Sequence, residues 1–268
     1  MPSYAVIGAS RGIGLEYVRQ LAAKPETVVF AVVRNAAKST HLQAVVKDAT
    51  NIKVVEADVA DYPSLQQAAE RVAEVTGGKL DYLIHSAARM EAGVHKGFDD
   101  YSSMDELDAD FITSYKINAL GVIHSISAFL PLLRAASTKK IVVISTGEAD
   151  FKFVKKSGTA HMSVYGMTKA AALIATTKYA VKLQDEGFVV VAVSPGLVDN
   201  SDTVGETGDP AGHVLFEQLS DYYSKKLGVR VDVQTPEQSV SAQVKLIDAL
   251  KPSDNGLFLK HTGGEFVS

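Results

Sequence analysis

Tyr165-Gly166-Met167-Thr168-Lys169 sets a phenol and an ammonium four residues apart, which on a helix puts both on one face. A free tyrosine titrates near ~10, and a neighbouring ammonium favours the phenolate and lowers that value. The expected chemistry is proton exchange with a carbonyl oxygen near neutral pH. The spacing alone is common, and Tyr179 and Lys182 occur in the same stretch. Upstream, the run IVVIS ends in Ser145-Thr146, two hydroxyls that would bond a substrate oxygen. Asn118 lies inside the long helical stretch KINALG, where asparagine competes with the helix for backbone bonds. A surface or capping asparagine is the plainer reading of that position.

A second group of residues suits an anion. Gly8-Ala9-Ser10-Arg11-Gly12-Ile13-Gly14 follows the first strand-like run and opens a helix-like one. Such a turn brings backbone close to a pyrophosphate, and the helix N-terminus offers unpaired N–H donors. The second strand-like run, VVFAVV, ends at Arg34. NAD-binding folds often carry an acidic residue there for the ribose 2′-hydroxyl. An arginine instead accepts a 2′-phosphate, with Arg11 as a second clamp, so the expected cofactor is NADP. The alternative for Arg34 is a solvated charge at a strand end. Asp58-Val59 follows the third strand, where an acid would hold an adenine amino group or cap a turn.

These residues need a frame that gathers them. Strand-like runs fall at Tyr4–Gly8, Val28–Val33, Ile52–Glu56, Tyr82–His85, Ile141–Ser145, Val189–Ser194 and Leu257–Lys260. Several are continuously apolar, as suits a parallel sheet covered on both faces. Helical stretches alternate with them: Gly12–Ala23, Ala36–Ala49, Ser64–Thr76, Met104–Ala136, Val164–Glu186, Gly212–Leu227 and Pro236–Leu250. The alternation predicts α/β architecture, a Rossmann-type doubly wound sheet of about seven parallel strands with helices on both faces. One nucleotide-binding domain over 1–268 is expected. The irregular loops 90–103, 148–163 and 197–211 follow strands at the ligand-binding edge of such a sheet. They are the expected substrate loops, with Met90, Val94, Phe151, Phe153, Val154 and Phe216 as candidates for an apolar pocket.

Composition excludes several function classes. The 268 residues carry a net charge of −4, and their lysine pairs are isolated, which argues against a nucleic-acid surface. The absence of cysteine excludes disulfides and thiolate chemistry and fits a reducing, cytoplasmic setting. The seven histidines show no metal-ligand helical spacing, so no metal is expected. No secretory signal or membrane-spanning apolar run is read from the chain, and no membrane partner is expected.

Together the glycine turn, Asp58, Asn118, Ser145-Thr146, Tyr165xxxLys169 and Ser194-Pro195-Gly196 resemble the short-chain dehydrogenase/reductase superfamily, in its single-domain branch. The ISTGEADF and SVYGMTKAAL stretches are similar to fungal members. The resemblance implies that Tyr165 is the acid/base and that Lys169 binds the nicotinamide ribose and lowers the tyrosine pKa. It implies that Asn118 holds a relay water, and that Pro195, Gly196 and Val198 shape the nicotinamide pocket. The family's Asn-Asn-Ala-Gly is His85-Ser86-Ala87-Ala88 here, leaving the backbone of Ser86 or Ala87 for the adenine ribose. The family's threonine beyond Pro-Gly falls at Asn200, with Thr203 nearby. Its catalytic serine, second of a pair, falls at Thr146, with Ser145 one position earlier. The implied activity is NADPH-dependent reduction of a ketone or aldehyde, or the reverse oxidation, by a carbonyl reductase that forms a homodimer or homotetramer. A non-catalytic NADP-binding sensor or scaffold, or the same fold adapted to non-redox chemistry, are the alternatives.

Overall fold

The computed structural model describes residues 1–90 and 92–266. Glu91, within the expected loop 90–103, and residues 267 and 268, within the expected domain, lie outside the described residues. The chain builds β1 (Ser3–Ile7), α1 (Gly12–Ala22), β2 (Val28–Val33), α2 (Thr40–Val46), β3 (Ile52–Glu56), α3 (Tyr62–Thr76) and β4 (Tyr82–His85). It continues through α4 (Met104–Tyr115), α5 (Gly121–Ala135), β5 (Lys140–Ile144), α6 (Phe151–Ser157), α7 (Ser163–Leu183) and β6 (Val189–Ser194). The last part holds β7 (Leu197–Val198), α8 (Pro210–Leu227), β8 (Val233–Gln234), α9 (Pro236–Ala249) and β9 (Phe258–Lys260).

Seven strands form one sheet in the order β3-β2-β1-β4-β5-β6-β9, with every neighbouring pair parallel. The predicted doubly wound sheet is therefore present. The order reverses between β1 and β4, the switch point at which such sheets hold ligands. Side chains alternate across each strand, so the sheet feeds two cores. Phe30, Leu83 and Val143 pack with Leu65 of α3, Phe129 of α5 and Leu183 of α7. Val6, Ile84 and Val191 pack on the other face with Val18 of α1 and Ile247 of α9. Each fully buried large side chain among them contributes roughly 1.5–3 kcal/mol by leaving water.

The structure departs from the sequence reading in several places. The long helix Met104–Ala136 is broken by a π-helical turn at Lys116–Leu120, so Asn118 does not sit in a regular helix. The continuous segment Met104–Ala135 is, by length and composition, apolar enough to cross a membrane, contrary to the sequence reading. Within the fold 61% of its most apolar window is buried, as a core helix requires. The second helix starts only at Thr40, because Asn35 and Glu56 accept from the backbone N–H groups of Lys38 and Ala36 at 2.9 and 2.6 Å and hold a turn there. The predicted loop 148–163 contains α6, begun by the Asp150 carboxylate accepting from Phe153 N at 2.7 Å, an N-cap. The Thr235-Pro236 start of the last helix is as expected: Thr235 and Gln238 form a reciprocal capping box.

Candidate active site

The glycine turn is built by contact. Gly8 has φ +87°, and a Cβ there would lie 2.6 Å from the Ala87 backbone. A Cβ on Gly14 would lie 2.1 Å from the Gly8 carbonyl oxygen. These two positions let α1 start directly above the ends of β1 and β4. Ser86 continues the ladder there by donating its N–H to Ile7 O at 2.9 Å. Ser10 is half-buried and Ile13 packs against the core, while Arg11 and Arg34 stand exposed. Gly12 N donates to Thr203 Oγ1 at 2.9 Å. A Cβ on Gly12 would meet the Asn200 side chain at 2.8 Å. Of the two residues weighed for the post-Pro-Gly position, Thr203 thus holds the helix N-terminus and Asn200 packs beside it. The cradle fits a pyrophosphate: small residues clear the space, and the N-terminus of α1 presents N–H donors.

At the third strand, one Asp58 carboxylate oxygen accepts from Ala60 N at 2.9 Å, so the turn role weighed for Asp58 is present. Val59 is buried against Gly121, at the start of α5. Beyond β6, Pro195 O accepts from Ser239 Oγ at 2.7 Å. Gly196 has φ +85° and no room for a Cβ, which would lie 2.3 Å from Gln234 Nε2. Val198 is buried and pairs with Gln234 in the small β7–β8 ladder, an element absent from the sequence reading.

The proton-handling residues converge between the end of β5 and α7. Tyr165, Lys169 and Asn118 are all buried. Lys169 Nζ donates to Ile144 O at 2.5 Å, and burial lowers its pKa to about 8. Asn118 accepts from Arg89 N at 2.7 Å and donates to Thr168 Oγ1 at 3.0 Å. It ties the loop after β4 to α7 from within the π turn, a local widening frequent at functional sites. His85, fully buried where the family has asparagine, is held neutral: burial and the nearby Lys169 charge bring its pKa down to about 3.

Tyr165 corrects an expectation. Its pKa lies above the ordinary tyrosine range, not below it. Burial is the main cause, the Glu148 charge adds to it, and a hydrogen bond with Thr146 opposes both. The Lys169 ammonium does not offset these effects because its amine is turned to the Ile144 carbonyl. Thr146 also accepts from Glu148 N at 3.3 Å, whereas buried Ser145 Oγ has no hydrogen-bond partner. Contact with the phenol therefore belongs to Thr146. Thr146→Ala is expected to lose more kcat than Ser145→Ala, and steady-state rates with NADPH binding measured in parallel check it. The reverse order would place the substrate oxygen on Ser145.

Glu148, Tyr223, Thr168 and Arg89 were not singled out from the sequence. Glu148 lies in the loop 148–163 expected to contact substrate. Two of the residues expected to line an apolar pocket differ in setting. Phe151 is 80% exposed, while Phe153 packs against Tyr223 and Phe266 with ring centres 5.5 and 6.0 Å apart.

A family model described as short chain dehydrogenase matches residues 3–212. The chain belongs to the short-chain dehydrogenase/reductase family. This dehydrogenase is 34% identical to Short-chain dehydrogenase/reductase atnB of an Arthrinium species, covering 98% of each chain. It is 32% identical to Short chain dehydrogenase virK of Hypocrea virens, covering 100% of this chain and 97% of that one. Among solved structures, NADPH-bound carbonyl reductase from chicken fatty liver superposes with a TM-score of 0.76 at 25% identity, over 100% of this chain and 94% of that one. The likeness to fungal sequences agrees with these relatives, and the family makes the chain an oxidoreductase.

Proposed function

We propose that this short-chain dehydrogenase reduces a ketone or aldehyde with NADPH. The observation that carries the reading is the convergence of buried Tyr165, Lys169 and Asn118 beside Thr146 at the end of β5, on the same sheet edge as the glycine cradle. NADPH, when bound, supplies the hydride. The chain does the rest. Thr146 and Tyr165 direct two hydroxyls at a carbonyl oxygen, and Tyr165 releases its proton to that oxygen as negative charge develops. Lys169, buried beside the phenol, would return a proton to it, and buried Asn118 would hold a water on that route. The α1 N-terminus with Gly8, Gly12 and Gly14 would hold the pyrophosphate. Ser86, Ala87 and Asp58 border the adenosine side, and Pro195, Gly196 and Val198 the nicotinamide side.

Arg34 and Arg11 stand exposed at the ends of β2 and the glycine turn, where a 2′-phosphate would find both cations. NADPH is expected to bind more tightly than NADH. Arg34→Asp removes one charge-assisted contact of about 1.5–3 kcal/mol and adds repulsion, so preference is expected to fall at least about tenfold. Titration of both cofactors, with NADPH absorbance followed against a panel of carbonyls, tests the reading. Equal affinities in the parent would remove the NADP assignment. Tight NADPH binding without turnover on any carbonyl would favour the scaffold reading.

A further inference from the structure

We propose that residues 199–213 form an autoinhibitory strap: in the free enzyme it is seated on the α1 N-terminus that a dinucleotide pyrophosphate would take, and the cofactor enters by lifting it. The inference rests on the reading of the glycine turn as the cofactor cradle.

The strap begins where Asp199 N donates to Gln234 O at 2.9 Å, just beyond Val198. A 3-10 turn over Ser201–Thr203 then brings the chain onto α1. There Thr203 Oγ1 accepts from Gly12 N at 2.9 Å and donates to Asn200 O at 3.1 Å. The first N–H groups of a helix have no acceptor within it, and Thr203 supplies one to a donor that an anion would use. Asn200 fills the space beside it, 2.8 Å from the point that a Cβ on Gly12 would reach. Farther on, His41 Nε2 of α2 donates to Gly205 O at 2.9 Å. Because α2 follows β2 and Arg34, the segment crosses the cleft from the nicotinamide side to the adenosine side. The chain returns where Asp209 N donates to Ser201 O at 2.9 Å and the Asp209 side chain caps α8. His213, in the first turn of that helix, closes the loop. Its Nδ1 lies 2.5 Å from an Asp199 carboxylate oxygen and its Nε2 3.3 Å from one of Asp202.

Three features make the strap removable. Among the described residues from Asp199 to His213, Ser201 alone is buried. Polar bonds rather than a core hold the segment, and such segments open at low cost. Gly205 and Gly208, with φ +64° and +81°, flank its tip and can absorb a change of backbone angle. The third feature is charge. The strap carries Asp199, Asp202, Glu206 and Asp209 and no lysine or arginine. Closed over a bound dinucleotide, it would set these carboxylates beside the phosphates, where like charges repel. A pyrophosphate oxygen is also a charged acceptor and bonds an amide more strongly than the neutral Thr203 hydroxyl does. The cofactor therefore takes the Gly12 donor and expels the strap. His213 stands between two of the carboxylates and pins the free strap to α8. Affinity measured on the free enzyme is then lowered by the fraction of molecules whose strap is down.

The chain has no cysteine, so introduced cysteines take spin labels at chosen points. Glu206→Cys at the strap tip and Lys47→Cys at the end of α2, both exposed, report the separation of strap and α2 by pulsed electron resonance. Saturating NADPH is expected to lengthen that separation. A separation that is unchanged or shortened with NADPH bound overturns the proposal, the second pattern being a lid that closes on the cofactor. Stopped-flow fluorescence of NADPH gives a second readout. Thr203→Val removes the seat on Gly12, and His213→Ala removes the pin on α8. Each is expected to quicken NADPH association about two- to tenfold, the worth of one hydrogen bond lost from the closed state. Association unchanged or slowed in either variant overturns the strap, and slower association with faster release in Thr203→Val would make Thr203 a cofactor contact instead. If these variants do not fold, the labelled pair decides alone. A protein that binds neither NADPH nor NADH refutes the cradle reading and the strap with it. Tight NADPH binding with an unmoved strap refutes the strap and leaves the cofactor reading standing.

Discussion

Tyr165→Phe is expected to lose carbonyl reduction by about 10²–10⁴-fold, the usual worth of a positioned proton donor, while NADPH affinity stays near the parent's. The phenol reaches the reaction through one oxygen. The ring is buried in α7 beside Val164 and Thr168, and Phe preserves that packing. The pyrophosphate cradle lies on a different element and does not depend on the hydroxyl. The pH profile adds a sign. Burial and Glu148 hold the Tyr165 proton on above the ordinary tyrosine range, so the acid form persists as pH rises. Reduction by the parent is therefore expected to stay level through neutral and mildly alkaline pH and to fall only beyond it. The residual activity of Tyr165→Phe should lack that alkaline fall. Steady-state kinetics across pH, with NADPH binding followed by fluorescence, check both parts. Retention of most turnover by Tyr165→Phe would remove Tyr165 as the acid and bring the non-redox alternative forward.

Much of this was legible from residue order because the signals were local. Continuous apolar runs such as VVVAVS announced buried parallel strands, and the seven-stranded sheet contains all of them. The glycine spacing announced a turn whose reason became visible as contact, with Gly14 against the Gly8 carbonyl. What stayed hidden depended on distant pairings. The direction of the Tyr165 shift was misread because a four-residue spacing to Lys169 says nothing about where the amine points. Ile144 O captures it, and the charge that acts on the phenol comes from Glu148. Glu148 could not be singled out, since Tyr223, its partner on α8, lies 75 positions away. The π turn was equally opaque: Asn118 signalled an uneasy helix, but its partners Arg89 and Thr168 come from separate elements. The choice between Asn200 and Thr203 likewise rested on which side chain meets Gly12 N, a contact across 191 positions.

Gly14→Ala is expected to weaken NADPH binding by at least about a hundredfold, about 2.7 kcal/mol, and to lower stability as well. The argument is steric. The added methyl would stand 2.1 Å from the Gly8 carbonyl oxygen, inside any permitted contact, and the obstacle is backbone that cannot swing aside as a side chain does. Either α1 lifts away from β1 or the turn opens. Both movements carry the N–H donors of α1 off the position a pyrophosphate would take. Overpacking of this kind costs about 1–3 kcal/mol of folding stability. Gly77→Ala supplies the contrast. Gly77 ends α3 with φ +66° and has nothing within 4 Å of its Cβ position. Alanine there strains the backbone by roughly 1 kcal/mol and touches no ligand-facing element. Thermal unfolding should fall in both variants, but NADPH affinity only in Gly14→Ala. If both glycine variants bound NADPH as the parent does, the cradle would not lie at the start of α1. If both lost binding equally, general destabilisation would account for the loss and the glycine turn would have no special part in it.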